Sequence, residues 1–122
     1  MNNRKQGDYG EDFAVKLLEK SGYTIICRNY TCRGGEIDII ATKENYICFV
    51  EVKLRSVLSE NRALEAVDAT KLSRIKHAAE FFFEEYRDNM YVTSLTPRFD
   101  IVELYTTPQK SVIKHNHITD IS

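Results

Sequence analysis

The apolar residues of this chain follow two periods in turn, and the switches between them mark out the elements. Between Asp8 and Ser21 the residues Gly10, Phe13, Ala14, Leu17 and Leu18 recur at the spacing of one helix face, with Gly22 where a C-terminal cap is expected. Residues 23–30 (YTIICRNY) are β-branched and aromatic, CRGG at 32–35 is a turn signal, and EIDIIA is a second β-like run ended by TKEN. In YICFVEVK at 46–53 one alternating set is Tyr46, Cys48, Val50 and Val52, and the other is Ile47, Phe49, Glu51 and Lys53. Both faces of its first half are apolar, so cover is needed on both sides of the sheet. From about Ala63 to Arg87 the residues Leu64, Val67, Ile75, Ala78, Phe82 and Tyr86 step by threes and fours, which predicts a long helix. RFDIVELY at 98–105 is another strand, SVIKH at 111–115 a weaker last one, and YVTSL at 91–95 is left unassigned.

The predicted order is αβββαββ. The long helix between the third and fourth strands has the length of a right-handed crossover joining parallel neighbours. An α/β fold follows, with a mixed β-sheet of about five strands flanked by helices in three layers. The 122 residues hold no repeat, no linker and only two distant prolines, so residues 1–122 read as a single domain.

Composition narrows the function classes. At 43% hydrophobic and 29% charged residues the chain reads as an ordinary globular protein. It has no run of roughly 18 apolar residues and no signal-peptide centre at its start, so the expectation is a cytoplasmic protein without a membrane partner. Cys27, Cys32 and Cys48 lack metal or redox spacing and are expected as free thiols, mostly buried. A formal net charge of -1 argues against a generic nucleic-acid coat. Charge is nonetheless uneven: residues 53–77 carry six Lys or Arg against three acids, and residues 78–105 carry six acids against two arginines. One side could face phosphates while the rest stays acidic.

The candidate chemistry lies in the two central β runs. Glu51 and Lys53, two apart on a strand, project from one face with Cα atoms about 6.5 Å apart. With Thr42 to Asn45 as the hairpin loop, Ala41 would face Tyr46 and Asp38 would face Phe49, leaving Asp38 diagonal to Glu51 on the same face. Two carboxylates meeting there suit Mg2+, or Mn2+, whose octahedron is completed by waters and substrate phosphate. Such an ion activates a bound water, and the Lys53 ammonium offsets charge that develops in the transition state. Glu11, at the edge of the first helix's apolar face, could reach the same place. Lys71 falls in the inward register between Val67 and Ile75, where it needs an acidic or phosphate partner: either Glu51 or a bound phosphate.

With these residues placed, the sequence resembles the restriction-endonuclease-like nucleases, whose signature is a helical acid, an aspartate, and then E-x-K on the next strand. More closely it is similar to the YraN-like family of small bacterial proteins, through YGEDFAVKLLEKSGY, RNY, RGGEIDII, CFVEVKLR, KLSRIKHAA and RFDIVEL. The resemblance implies a fold shared with archaeal Holliday-junction resolvases and a nuclease site on Glu11, Asp38, Glu51 and Lys53, with Asp38, Glu51, Glu11 and Val52 as the metal ligands. A nucleic-acid surface is expected on Arg33, Arg55, Lys71 and Arg74, with DNA ahead of RNA as the partner. By fold analogy a homodimer would suit a junction with two cuts.

Plainer readings stand beside these. Glu51 and Lys53 alone would make a structural ion pair, Glu36 a cap on the Gly34–Gly35 turn, and Asp100 a structural acid. His115 and His117 read as a solvated tail. Phe81, Phe82, Phe83 and Tyr86 read as helix core with one exposed Phe, and Arg55, Arg62, Arg74 and Lys76 as a solvated face. Two functions remain open at this point: a magnesium-dependent phosphodiesterase acting on DNA, branched or structured DNA included, and a catalytically silent nucleic-acid-binding module on the same scaffold.

Overall fold

The computed structural model describes residues 5–57 and 69–121, and the following statements concern these alone. The elements run α1 (Lys5–Lys20), β1 (Thr24–Cys32), β2 (Gly35–Lys43), β3 (Tyr46–Ser56), α2 (Ala69–Glu85), α3 (Met90–Thr93), β4 (Thr96–Thr106) and β5 (Val112–Ile118). The five strands form one sheet in the order β1-β2-β3-β4-β5. Its β3–β4 pair is parallel and the other pairs are antiparallel, so the sheet is mixed and α2 lies in the crossover, as the pattern predicted.

Helices cover both faces. Ala14 and Leu18 of α1 pack with Tyr23, Ile39, Ala41, Cys48, Val50, Val102 and Leu104. Ile75, Ala78, Ala79 and Phe82 of α2 pack with Ile37, Ile40, Ile47 and Phe49 on the opposite side. Since side chains alternate along a strand, Phe49 and Val50 serve different cores, which explains why β3 begins apolar on both faces. None of the helices is long and apolar enough to cross a membrane.

Local chemistry fixes the element ends. The Gly22 N–H bonds to the Glu19 carbonyl and the Tyr23 N–H to the Leu18 carbonyl, with Gly22 at φ 95: the paired-bond cap that the glycine's position predicted. A Cβ at Gly35 would come within 2.5 Å of the Arg74 carbonyl oxygen, so only glycine lets α2 press onto the start of β2.

Several expectations are corrected. The β2–β3 turn is Glu44–Asn45 alone, because Thr42 and Lys43 continue β2, Lys43 donating to the Ser21 carbonyl at 2.7 Å. The partner of Phe49 is therefore Ile40, not Asp38. A slip of two residues keeps each paired side chain on its face, and the regular pairing ends at Ile39↔Val50, just short of Asp38 and Glu51. The last strand extends to Ile118, so His117 belongs to the sheet, where its Nε2 hydrogen-bonds Asp100 at 2.8 Å. Part of YVTSL forms the short helix α3, capped by the Asn89 side chain on the Val92 N–H. In the long helix Phe82 is buried and Phe81 exposed, as expected, but the helix stops at Glu85 and Tyr86, expected in its core, is exposed beyond its end. Arg62, Leu64 and Val67 lie outside the described residues.

Candidate metal and phosphate site

The site forms where two strands leave regular geometry together. Arg28 pairs with Ile39 and Tyr30 with Ile37, leaving Asn29 and Asp38 between them. Asn29 has φ 55, the left-handed region that asparagine tolerates better than most residues. On β2 the alternation breaks at the same level: Ile37 and Ile40 both face α2, while Ile39 faces α1. This shared kink turns Asp38 towards β3, where its Oδ2 accepts the Val52 N–H at 2.8 Å.

Glu51 is 5% exposed, and its Oε2 lies 3.0 Å from the Lys71 Nζ. The inward lysine of α2 thus has Glu51 as its partner. The hydrogen bond to Glu51 raises the Lys71 pKa against the opposing effect of burial, and the charges of Glu51, Asp38 and Glu36 add to the rise. Lys53, two residues along β3, is half-buried and makes no ion pair among the described residues.

Burial and then the negative charge of Glu51 push the Asp38 carboxyl up to about 7; the Val52 N–H works against them, and Glu11 and Glu36 add smaller repulsions. An acid under this strain is either protonated or in need of a cation. Three donors converge on Glu11 Oε1: Arg28 Nε at 3.1 Å, Arg28 Nη2 at 2.9 Å and Asn29 Nδ2 at 2.9 Å. Arg28 also reaches Asp12 at 2.7 Å. Glu11 is thereby fixed at the edge of the cluster.

Among the described residues no three His, Cys, Asp or Glu side chains form a ready cation cage. Two carboxylates with oxygen donors alone still fit magnesium, which keeps several waters and takes one or two carboxylates plus substrate phosphate. Val52 would contribute its main-chain carbonyl. The donor set does not suit zinc, which prefers nitrogen and sulfur.

The basic residues divide. Arg33 and Arg74 are exposed, and α2 holds them on one rim, the Arg33 carbonyl lying 3.1 Å from His77 Nε2. Arg55, expected on that rim, is buried with its Nε 3.1 Å from Glu103 Oε2. It sits too deep to serve as a solvent-facing phosphate contact. Cys27 and Cys32 are half-buried, Cys48 is buried, and none is bridged.

Sequence reasoning missed Arg28 and Asn29 as the groups that hold Glu11. An asparagine inside a β-branched run was the available signal, since that residue is depleted in strands and enriched where φ turns positive.

An α/β protein with helices on both faces of a five-stranded mixed sheet, and with one buried and one half-buried acid gathered at a kink in its centre, is the class these features define. Residues 10–104 match the uncharacterised protein family UPF0102, and the chain belongs to that family. It is 42% identical over 120 residues to a UPF0102 protein of Caldicellulosiruptor saccharolyticus, covering 97% of each chain. A UPF0102 protein of Caldanaerobacter subterraneus subsp. tengcongensis is 40% identical over 119 residues, covering 97% of this chain and 94% of the relative. One from Clostridium perfringens is 42% identical over 103 residues, covering 84% and 80%. Glu11, Asp38, Glu51, Lys53 and Lys71 all fall within the matched stretch.

Proposed function

We propose that the chain is a divalent-metal-dependent nuclease of the restriction-endonuclease-like class that hydrolyses phosphodiester bonds of DNA, structured DNA included. The observation that carries this reading is the approach of Asp38 and Glu51 from adjacent strands, close enough that Glu51 helps to push the Asp38 carboxyl up to about 7. Repulsion between like charges in a buried place is a cost that a bound Mg2+ or Mn2+ would remove.

When bound, that ion would supply Lewis-acid polarisation of the scissile phosphate and a more acidic water. Asp38, Glu51 and the Val52 carbonyl would hold it. Glu11, kept in place by Arg28 and Asn29, would orient a water beside it. Lys53, with no acid competing for its ammonium among the described residues, would face the attacked phosphate and offset its growing charge. Arg33 and Arg74 would grip neighbouring phosphates at the exposed rim.

The Glu51–Lys71 ion pair favours a second reading, a nucleic-acid-binding module that keeps the scaffold and no longer cuts. Labelled duplex, single-stranded and four-way-junction DNA, with matched RNA, incubated with protein in Mg2+ or Mn2+ separates the two. The nuclease reading expects cutting by the parent and a loss of about a thousandfold or more in Asp38→Asn and Glu51→Gln, since each removes a group required in the transition state. Binding without cutting in either metal gives the module instead. Cutting that survives both substitutions excludes this site.

A further inference from the structure

Lys71 stands out because its position conflicts with its chemistry. On α2 it shares the inward stripe with Ile75, Ala78 and Phe82, yet its ammonium is 3.0 Å from Glu51, an acid whose side chain is 7% exposed. The lysine side chain is itself 38% exposed, so a path to solvent remains open to it. Its neighbour one turn on, Arg74, is exposed at the rim. Lys53, which shares a strand with Glu51, plays no such part.

We propose that Lys71 is a tethered counter-ion: it takes the place of the metal beside Glu51 in the unliganded protein and moves onto a nucleic-acid phosphate when substrate arrives, so that metal and substrate bind cooperatively. The inference rests on the nuclease reading of the Asp38–Glu51 pair and adds to it an order of events.

The electrostatics require competition. A divalent ion on the Glu51 carboxylate and an ammonium 3.0 Å from the same group repel each other at short range. The hydrogen bond to Glu51 holds Lys71 first, and the charges of Glu51, Asp38 and Glu36 add to it, so a metal on these acids would weaken that hold. A phosphate at the rim offers an alternative anion within reach of a flexible four-carbon stem. By linkage, if substrate draws Lys71 away and thereby tightens metal binding, metal must tighten substrate binding by the same factor. A protein so built keeps its metal site weak until nucleic acid is present, which limits stray hydrolysis.

Titration of the whole protein with Mn2+, followed by the signal of free Mn2+ and by calorimetry, tests this without any cleavage. Lys71→Met is expected to bind Mn2+ alone about tenfold tighter than the parent, while Lys71→Arg, which keeps the charge, stays near the parent value. Adding a cleavage-resistant phosphorothioate DNA should tighten Mn2+ binding in the parent severalfold more than in Lys71→Met, where only direct phosphate–metal contact remains. Matching melting temperatures would show that both variants fold. Equal or weaker Mn2+ binding by Lys71→Met, with the parent still binding and Asp38→Asn not, overturns the counter-ion role and leaves the nuclease reading intact. No Mn2+ binding by any of the proteins, DNA present, overturns both.

Discussion

Asp38→Asn is expected to make the protein more stable at pH 8 by about 2–4 kcal/mol, and to lose that advantage as the pH falls to about 4. The sign follows from proton counting. In the folded chain Asp38 titrates at about 7, well above an ordinary carboxyl, because of burial first and Glu51 second. Between the unfolded value near 4 and that value the native state holds a proton the unfolded chain has released, so stability falls as pH rises through this window. Above it the parent carries the full penalty, and below it none. Asparagine removes the charge while its side-chain oxygen can still accept the Val52 N–H that Asp38 takes at 2.8 Å. Urea unfolding of parent and variant at a series of pH values measures the difference. A variant that is no more stable than the parent at pH 8 contradicts the strain assigned to this acid. Excess Mg2+ should narrow the gap by stabilising the parent alone, since a ligand stabilises only the fold that binds it. Loss of stability for the sake of a charged site is the usual trade at functional positions.

Asp100→Ala is expected to cost about 3–5 kcal/mol, the loss typical of breaking a buried charge pair from one side. Asp100 is 1% exposed. Its Oδ1 accepts from Arg98 Nε and the Asp120 N–H, both at 3.0 Å, and its Oδ2 from Arg98 Nη2 and His117 Nε2, both at 2.8 Å. Arg98 continues to the Tyr23 hydroxyl at 2.6 Å, so one carboxylate ties β4 to β5 and to the segment after α1. Burial alone would raise its pKa, and the bonds from His117, Arg98 and the Asp120 N–H overcome that and hold the carboxyl below its ordinary range. A depressed acid contributes stability above its unfolded value that is lost as pH falls through its folded one, so the variant and the parent should draw together in strong acid. Asp100→Asn, which keeps the shape, should cost less. Denaturant unfolding at pH 7 checks both, and a loss below about 1 kcal/mol for alanine would show the network to be dispensable.

The two acids thus have opposite roles for a physical reason visible in their partners. Asp100 is surrounded by donors and two basic side chains, whereas Asp38 has one backbone N–H and faces other carboxylates. From sequence alone Asp100 was readable as structural only because it sits in an apolar strand. That its partner would be His117, placed in a solvated tail, was not readable, because SVIKHNHI alternates too weakly to show where β5 ends.

The layer order and the crossover were legible because periods of 3.6 and 2 separate cleanly in α1, α2 and β3. The register was not. Thr42 and Lys43 look like loop residues until Lys43 finds the carbonyl of Ser21, a contact 22 residues away that no local pattern carries. A two-residue slip preserves the faces of the paired residues, but the regular ladder stops at Ile39, and Asp38 lies in the kink beyond it. The kink at Asn29 and Asp38 was only half visible: Asn29 in a β-branched run pointed to it, but the kink depends on two strands yielding at one level, which neither strand shows alone. Arg55 was misplaced because a run of basic residues says nothing about which of them has an acid such as Glu103 on the neighbouring strand.

Crystals soaked in Mn2+ and measured at the manganese absorption edge give the most direct view of the central claim. The expected result is one anomalous peak bounded by Asp38, Glu51 and the Val52 carbonyl, at about 2.0–2.3 Å from their oxygens. A peak confined to other residues, or none there even in crystals that also hold a cleavage-resistant DNA, would mean that these acids do not gather a metal.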